Sequence, residues 1–374
     1  MVRFLHTADW QLGLKLSFLG SDDRGAFARA ERFEAVRRLA RVAREREAQA
    51  VVVAGDVFDD NAVGRDTLQR ARDALAHFAP LPVLLLPGNH DAGGPDCVLR
   101  RLDAGRHVHP LLDPTPFEGV PGVRFYPCPL MRRHEREDPS RDLPTRTPHE
   151  PIRVAIAHGG VLDFGEGESF NRIDWQAVLR KGFDYLALGD WHGTLRFGDR
   201  VWYPGTPEAT RFKEKRPGQA LLVEIDAPGA APRVEEIAVQ RTRWIERIEV
   251  LEGDAHVDAV AQWMESLEAR SMTLVDLTLR GALSLAARGR LDAMLDAKRA
   301  ELLFLRVDAE GLRDEPTPAD LDGLAAEGFV GRAVEHLRGL GTADANDALR
   351  LLHRLLAEPA PPPPAEVAAG RQVS

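Results

Sequence analysis

Five apolar runs in this chain end on side chains that can do chemistry. Asp9 and Gln11 follow VRFLHT, Asp56 follows AVVVAG, and Asn89, His90 and Asp91 follow VLLLPG. His158 closes RVAIAH, and Asp190 and His192 follow YLALG. Carboxylates and imidazoles accept and carry protons, and amides hydrogen-bond both ways. A single histidine beside an apolar run is more often a satisfied core residue than a functional one. Five segments that each deliver such groups at the same structural place are hard to explain by packing. In open α/β sheets ligands bind outside the carboxyl ends of the strands. The five segments are therefore expected to meet at one edge of a sheet.

The elements that must position them are legible as patterns. Each run is short, rich in Val, Leu and Ile, and stops abruptly at Gly or a polar residue, as buried strands do. From Arg24 to Glu47, the residues Phe27, Ala30, Phe33, Val36, Leu39, Ala40 and Ala43 recur at helical spacing. Asp66–Phe78 and Asp174–Arg180 are shorter helix candidates. Strands alternating with helices predict a layered α/β domain over residues 1–241. The later runs RVWYPG, QALLVEI and RVEEIAV have no helices between them and read as a meander extending a sheet. Residues 130–150, LMRRHEREDPSRDLPTRTPHE, are polar and proline-rich. They read either as a long functional loop or as a disordered surface insertion.

A second unit is expected over 242–312. IERIEVLE, TLVDLTLRG and LLFLRVDAE read as strands, with helices at HVDAVAQWMESLEA and LAARGRLDAMLDAKRAEL, which makes a small α+β domain. Residues 317–357 predict two amphipathic helices. Leu324, Phe329, Val330, Val334 and Leu337 line one, and Leu349, Leu352 and Leu355 the other. The tail 358–374 carries APAPPPPAE and reads as disordered.

The whole chain sets bounds. At 374 residues with 44% hydrophobic and 29% charged residues it has the composition of a globular protein of two or three domains. No run is long and apolar enough to span a bilayer, and the N-terminus opens as a strand rather than a signal peptide. The cytoplasm is the expected location. Cys97 and Cys128 have no metal-ligand spacing and read as reduced thiols. A net charge of −9 argues against a protein that coats nucleic acid by bulk electrostatics. It leaves room for an enzyme that grips DNA through local patches, bound metal or a partner.

HTADWQLG, GDVFDD, PGNHD, IAHGG and LGDWHG resemble, in order, the five motifs of the calcineurin-like metallophosphoesterases. HTAD at the N-terminus, GDVFD and the later YPGTPEATRF, with Thr206 in a serine position, resemble the DNA-repair nuclease branch of SbcD and YhaO-like proteins. The resemblance implies a β-sandwich flanked by helices, with the small α+β unit as a capping domain. It implies two divalent metal ions bridged by Asp56. Asp9, Gln11, Asp56 and His192 would hold the first, and Asp56, Asn89, His158 and Asp190 the second. Such a pair stabilises the attacking and leaving oxygens of an in-line displacement. His90 matches the histidine that serves the scissile phosphate. Asp91 would either orient that imidazole or cap the next turn. In the branch, the nuclease forms a homodimer and works with an SbcC-like, SMC-type coiled-coil ATPase. The helices of 317–357 would dock on that partner or pack on their own domain.

Two positions depart from the pattern. Gln11 stands where the family usually has His, and Asp190 where it usually has the first His of a Gly-His-x-His segment. Gln is a weak neutral donor and Asp a strong anionic one, and both replace nitrogen by oxygen. Oxygen ligands suit Mn²⁺ and Mg²⁺, so Mn²⁺ is expected, then Mg²⁺, with a weaker first site. Trp10 and Trp191 adjoin proposed ligands and either stack an unpaired base or pack the core. Arg132, Arg133 and Arg136, with Arg211, Lys213, Lys215 and Arg216, form local basic clusters that either meet DNA phosphate or stay solvated. The expected function is a metal-dependent DNA exo- or endonuclease. The alternatives are a phosphoesterase acting on another substrate and a non-catalytic scaffold for the ATPase.

Overall fold

A computed structural model describes residues 1–161, 170–315 and 329–340, together with 342, 344, 345, 348, 349, 351 and 352. It divides into two compact units. One is Met1–Glu246 with Arg270–Val275, and the other Arg247–Ala269 with the described residues from Asp276 onward.

In the first unit, strands β1 (Val2–Thr7), β2 (Ala50–Val53), β3 (Val83–Leu85) and β4 (Val108–Pro110) run parallel. A second sheet is built on β5 (Val123–Cys128), β6 (Ile152–His158) and β9 (Tyr185–Gly189), also parallel, after the short pair β7 (Gly160–Val161) and β8 (Arg172–Ile173). Strands β10 (Leu195–Phe197) and β11 (Val201–Tyr203) complete that sheet, in the order β10-β11-β9-β6-β5. Strands β12 (Gln219–Ile225) and β13 (Arg233–Ala238) return antiparallel to the first sheet, giving β13-β12-β1-β2-β3-β4.

The two sheets pack face to face. Phe4, Val52, Leu84 and Val223 meet Phe125, Val154, Ile156 and Tyr185 between them. Phe4 lies edge-on to Phe125 and Tyr185, each at 5.6 Å between ring centres. The outer face of the first sheet, with Leu5, Val51, Val53 and Leu85, is covered by α1 (Asp23–Glu45) and α2 (Arg65–Leu75) through Phe33, Leu39, Leu68 and Leu75. The outer face of the second packs Leu186 and Leu188 on Val178 of α3 (Trp175–Arg180). Residues of both parities are thus buried along the central strands, which is why they read as unbroken apolar runs. Each fully buried aliphatic side chain contributes roughly 1.5–3 kcal/mol. Asp22 caps α1 by accepting from Gly25 N at 3.0 Å, and Asp174 caps α3 by accepting from Ala177 N at 2.8 Å.

The structure corrects the strand reading in two ways. The five functional segments do not share a sheet: β1, β2 and β3 lie in one, and β6 and β9 in the other. Nor do the late strands form one meander. RVWYPG supplies β11 of the second sheet, parallel to β9, whereas β12 and β13 extend the first.

Residues 130–150 contain no helix or strand, yet they are fastened. The Asn171 amide donates to Arg133 O at 3.0 Å and accepts from Glu135 N at 2.7 Å. Asp138 accepts from Ser140 N at 2.7 Å and from Asp174 N at 2.9 Å. Polar side chains supply the partners that a ladder would otherwise give. Cys97 and Cys128 are both free and buried, and burial raises both thiols above their ordinary pKa.

Strands β14 (Arg243–Leu251) and β15 (Thr273–Leu283), each of which begins in the first unit and ends in the second, pair with one another, and β15 pairs with β16 (Phe304–Asp314) of the second. Helices α4 (Asp254–Glu265) and α5 (Leu285–Glu301) connect them. A further helix spans Phe329–Leu340. Its Val334 is buried with Leu349, and Leu337 and Leu352 pack against them. Leu324, Leu355 and the 358–374 tail lie outside the described residues. No helix among the described residues is long and apolar enough to cross a membrane.

Candidate metal centre

The carboxyl ends of both sheets open at the same end of the sandwich. Asp9, Asp56 and His158 are buried there, and one ligand atom from each lies within 4.8 Å of the others. Asp9, Gln11, Asp56 and Asp190 all have positive φ, at 53°, 43°, 51° and 101°. Such backbone costs on the order of 1–3 kcal/mol per residue and is typically held at functional sites. Asp and Asn tolerate it best. Two glycines make room. A Cβ on Gly55 would lie 2.1 Å from His158 Nδ1, and one on Gly88 2.1 Å from Asp56 Oδ1.

His158 is oriented by the backbone of the loop after β2. Its Nδ1–H donates to Ala54 O at 2.8 Å, which turns Nε2 inward. That nitrogen faces Asn89 Oδ1 at 2.8 Å, Asp56 Oδ1 at 3.4 Å and Asp190 Oδ1 at 3.7 Å. A lone pair among oxygen acceptors requires a cation between them, either a proton or a metal. Burial works against an imidazolium, but Asp56, Asp9 and Asp190 outweigh it and hold His158 well above its ordinary pKa. Burial pushes the Asp9 carboxyl up to about 7. Burial also opposes the Asp56 carboxylate, yet His158 and His90 hold it below the usual range.

His192 is set in a similar way. Its Nδ1 bonds Glu214 Oε1 at 2.5 Å and Thr210 Oγ1 at 3.1 Å. Carboxylate–histidine pairs of this kind orient metal-binding imidazoles. The other ring nitrogen, Nε2, meets the Gln11 Nε2 amide at 3.2 Å. The first position is therefore closed by a hydrogen bond unless the Gln11 amide turns its oxygen inward. The oxygen and imidazole donors of Asp9, Asp56 and His158 fit a divalent ion.

His90 donates Nδ1–H to Asp59 O at 2.8 Å, and its Nε2 lies 3.9 Å from Asp56 Oδ2. Its backbone N–H donates to Asp56 Oδ1 at 2.9 Å. Asp91 does not orient it. The buried Asp91 carboxylate accepts from Gly88 N at 2.7 Å and Phe58 N at 3.1 Å, tying the loops after β3 and β2 together. Burial, reinforced by Asp56, pushes it up to about 7.

Comparison with known proteins identifies the family. Residues 2–223 match the calcineurin-like phosphoesterase family. The chain belongs to that family. A DNA double-strand break repair protein Mre11 from Methanopyrus kandleri is 26% identical over 371 residues, covering 87% of this chain and 76% of that protein. The SbcD component of the nuclease SbcCD from Bacillus subtilis is 23% identical over 330 residues, covering 75% of this chain and 80% of that protein. Among solved structures, a dimetal phosphatase from Danio rerio aligns at a TM-score of 0.37 and 15% identity, over 62% of this chain and 98% of that one.

Sequence reasoning missed three residues that support this calcineurin-like centre. Glu214 is the lone acid in RFKEKR. Arg211, Lys213, Lys215 and Arg216 point outward, while the Glu214 side chain is only 2% exposed. A histidine ligand needs a partner for its second nitrogen, and an acid inside a basic run was the available signal. Asp59 O holds His90. Arg32, buried in α1, donates to Trp10 O at 2.7 Å and Glu208 O at 3.0 Å, joining the loop after β1 to residues 206–209. Thr206 Oγ1 lies 2.8 Å from Asp9 O. Trp10 is buried, bonds Thr7 Oγ1 at 3.0 Å and stacks on Phe78, so it packs the core. Trp191, Arg132 and Arg133 are exposed.

Proposed function

We propose that this chain is a two-metal DNA nuclease that hydrolyses phosphodiester bonds in DNA repair or end processing. The observation that carries this reading is the buried meeting of Asp9, Asp56 and His158, with His158 Nε2 facing oxygens of Asn89 and Asp56. The names of the relatives supply the substrate, since one is a DNA-break repair protein and the other belongs to a nuclease.

Asp9, Gln11, Asp56 and His192 would hold one ion, and Asp56, Asn89, His158 and Asp190 the other. The ions would polarise the phosphoryl oxygens and make water more acidic. The chain's own residues do the rest. Asp59 O fixes the His90 tautomer, which leaves Nε2 to carry a proton at the leaving oxygen. Ala54 O and Glu214 fix His158 and His192. Arg132, Arg133, Arg211 and Lys213 are exposed cations suited to phosphates on either side of the cut. Asp91 acts at one remove, through the loops it ties.

The oxygen-rich ligand set favours Mn²⁺, then Mg²⁺. The chain works in the cytoplasm as a homodimer beside an SbcC-like coiled-coil ATPase. The Bacillus subtilis relative is itself named as one part of a complex. Phe329, Leu340 and Leu351 are exposed and give the C-terminal helices an apolar face for such a partner. The residues of 1–241 form the nuclease domain and those of 242–312 the cap. A scaffold role is the second reading, and the Gln11–His192 hydrogen bond favours it.

The test is cleavage of labelled single- and double-stranded DNA by the full chain in Mn²⁺, Mg²⁺ and EDTA, beside Asp56→Ala and His90→Ala. Mn²⁺-dependent cleavage that falls at least about 100-fold in both variants is expected. Cleavage that persists in EDTA or in Asp56→Ala would contradict the reading. A wild type that neither cuts DNA nor binds metal would leave the scaffold.

A further inference from the structure

Arg32 is a buried cation whose hydrogen bonds among the described residues all go to neutral oxygens. It projects from α1 to the loop after β1 and is 3% exposed. Its Nη2 donates to Trp10 O at 2.7 Å and reaches Thr206 Oγ1 at 3.4 Å. Nη1 donates to Glu208 O at 3.0 Å and Ala209 O at 3.2 Å. Nε donates to Trp10 O at 3.1 Å and Gln11 O at 3.3 Å. Burial lowers the guanidinium pKa, while Glu208, Glu214, Asp59 and Asp9 work against that lowering. A charge taken out of water is costly, and an apolar side chain would fill the same place without that penalty. What the guanidinium adds is its fork, five N–H donors in one plane.

The fork closes the carbonyl side of the loop that bears Asp9 and Gln11. The N–H side is held by the loop after β2, where Asp9 N donates to Gly55 O at 3.1 Å and Gln11 N to Asp56 O at 2.9 Å. On the carbonyl side the Thr206 hydroxyl lies 2.8 Å from Asp9 O, and Arg32 takes the carbonyls of Trp10 and Gln11. Asp9 and Gln11 are thus kept at φ values of 53° and 43°, a region that persists only where the surroundings impose it. The same fork grips residues 206–210, which flank His192 twice. Thr206 N donates to His192 O at 3.1 Å, and Thr210 Oγ1 lies 3.1 Å from His192 Nδ1. Asn89 and His158 have other supports, since they meet one another at 2.8 Å and His158 is tied to Ala54 O.

We propose that Arg32 is a positioning residue for one ion of the metal pair, the ion assigned to Asp9, Gln11 and His192, and that it acts by bracing the loop of Asp9 and Gln11 against residues 206–210. This role rests on the two-metal reading for the ions and on the hydrogen bonds of Arg32 for its selectivity. The position completed by Asn89 and His158 keeps its own supports when Arg32 is changed.

The experiment is a calorimetric Mn²⁺ titration of the full chain as wild type, Arg32→Lys, Thr206→Val and His192→Ala, with denaturant unfolding to show that each sample is folded. His192→Ala marks which of the two wild-type sites is the one at issue. Lysine keeps the charge, but as a point donor it cannot span both sets of carbonyls. Thr206→Val keeps the shape and removes the other tie between the same two segments. Arg32→Lys is expected to weaken the site marked by His192→Ala by about 10- to 100-fold and to leave the other unchanged. Thr206→Val should weaken that same site. A residue that only stabilises the fold would lower unfolding stability and leave both affinities alone, or lower both together, and either result overturns the role. If Arg32→Lys does not fold, Thr206→Val decides, and unchanged affinities in it overturn the role. Two wild-type sites that both persist unweakened in Arg32→Lys would sink the role of Arg32 and leave the two-metal reading standing. A wild type that binds fewer than two Mn²⁺ would remove both.

Discussion

His158 and His192 reach the same arrangement by different means. Each has one ring nitrogen committed to an oxygen, a backbone carbonyl for His158 and the Glu214 carboxylate for His192. Each is left with Nε2 turned toward Asp9, Asp56 or Gln11. Fixing the tautomer removes the entropy of choosing it when a cation arrives. Glu214 is the more informative partner, because its charge also raises the basicity of the ring it holds. Burial opposes charging His192, yet Glu214 and Asp9 raise its pKa. Glu214→Gln keeps the shape and removes the charge. It is expected to weaken Mn²⁺ binding by about 10- to 100-fold, read by calorimetric titration. An unchanged affinity would make Glu214 a packing residue. The metal-ligand candidates were legible because carboxylate and imidazole side chains stand directly after apolar runs. Their orienting partners were not, because Ala54, Glu214 and Asp59 act through distance in space that single-sequence spacing does not encode. For Asp91 the sequence left two roles open, orienting His90 or capping a turn, and its carboxylate accepts from Gly88 N and Phe58 N. Adjacency to His90 in the chain places its side chain on the opposite side of the turn, toward Gly88 and Phe58.

At the scale of elements, the strands explain why the site is rigid. β1 carries His6 into the space between the sheets, where Nδ1 meets Tyr185 Oη at 3.0 Å and Nε2 meets Leu188 O at 3.2 Å. The carbonyl can only accept, so Nε2 carries the proton and Nδ1 receives the Tyr185 hydroxyl. This pair of bonds links β1 of one sheet to β9 of the other, three residues before Asp9 and two before Asp190. Burial lowers the His6 pKa to about 3. An unfolded histidine takes up its proton near 6.5. Between those values the unfolded chain binds more protons, so the stability from neutral His6 is complete above about pH 6.5 and lost as pH falls toward 3. Compared with His6→Gln, the wild type should lose about 1.4 kcal/mol of its advantage per pH unit below 6.5, measured by denaturant unfolding. Parallel stability curves would contradict it. Helix periodicity located α1 closely, because its buried stripe is long. The division of strands between two sheets was not legible. A strand buried on both faces has the same all-apolar pattern in either sheet, and only pairing decides that β11 follows β9 while β12 returns to β1.

For the molecule as a whole, the net charge of −9 and a buried acidic centre pull in the same direction. Both oppose DNA until cations intervene, and in the proposed function the exposed Arg132, Arg133, Arg211 and Lys213 would supply only part of that charge. The first unit assembles the centre by bringing the ends of two sheets together, and the match to the calcineurin-like family spans this same stretch. The central claim is that the meeting of Asp9, Asp56 and His158 is built for divalent metal. The most direct test is the Mn²⁺ content of the full chain, by calorimetry and by metal analysis after dialysis, for wild type and Asp56→Asn. The account predicts one tight site and one weaker site per chain, the weaker reflecting Gln11. Both should be impaired in Asp56→Asn, since Asp56 is the shared ligand. A wild type that binds no Mn²⁺, or an Asp56→Asn variant that binds it equally well, would contradict the account.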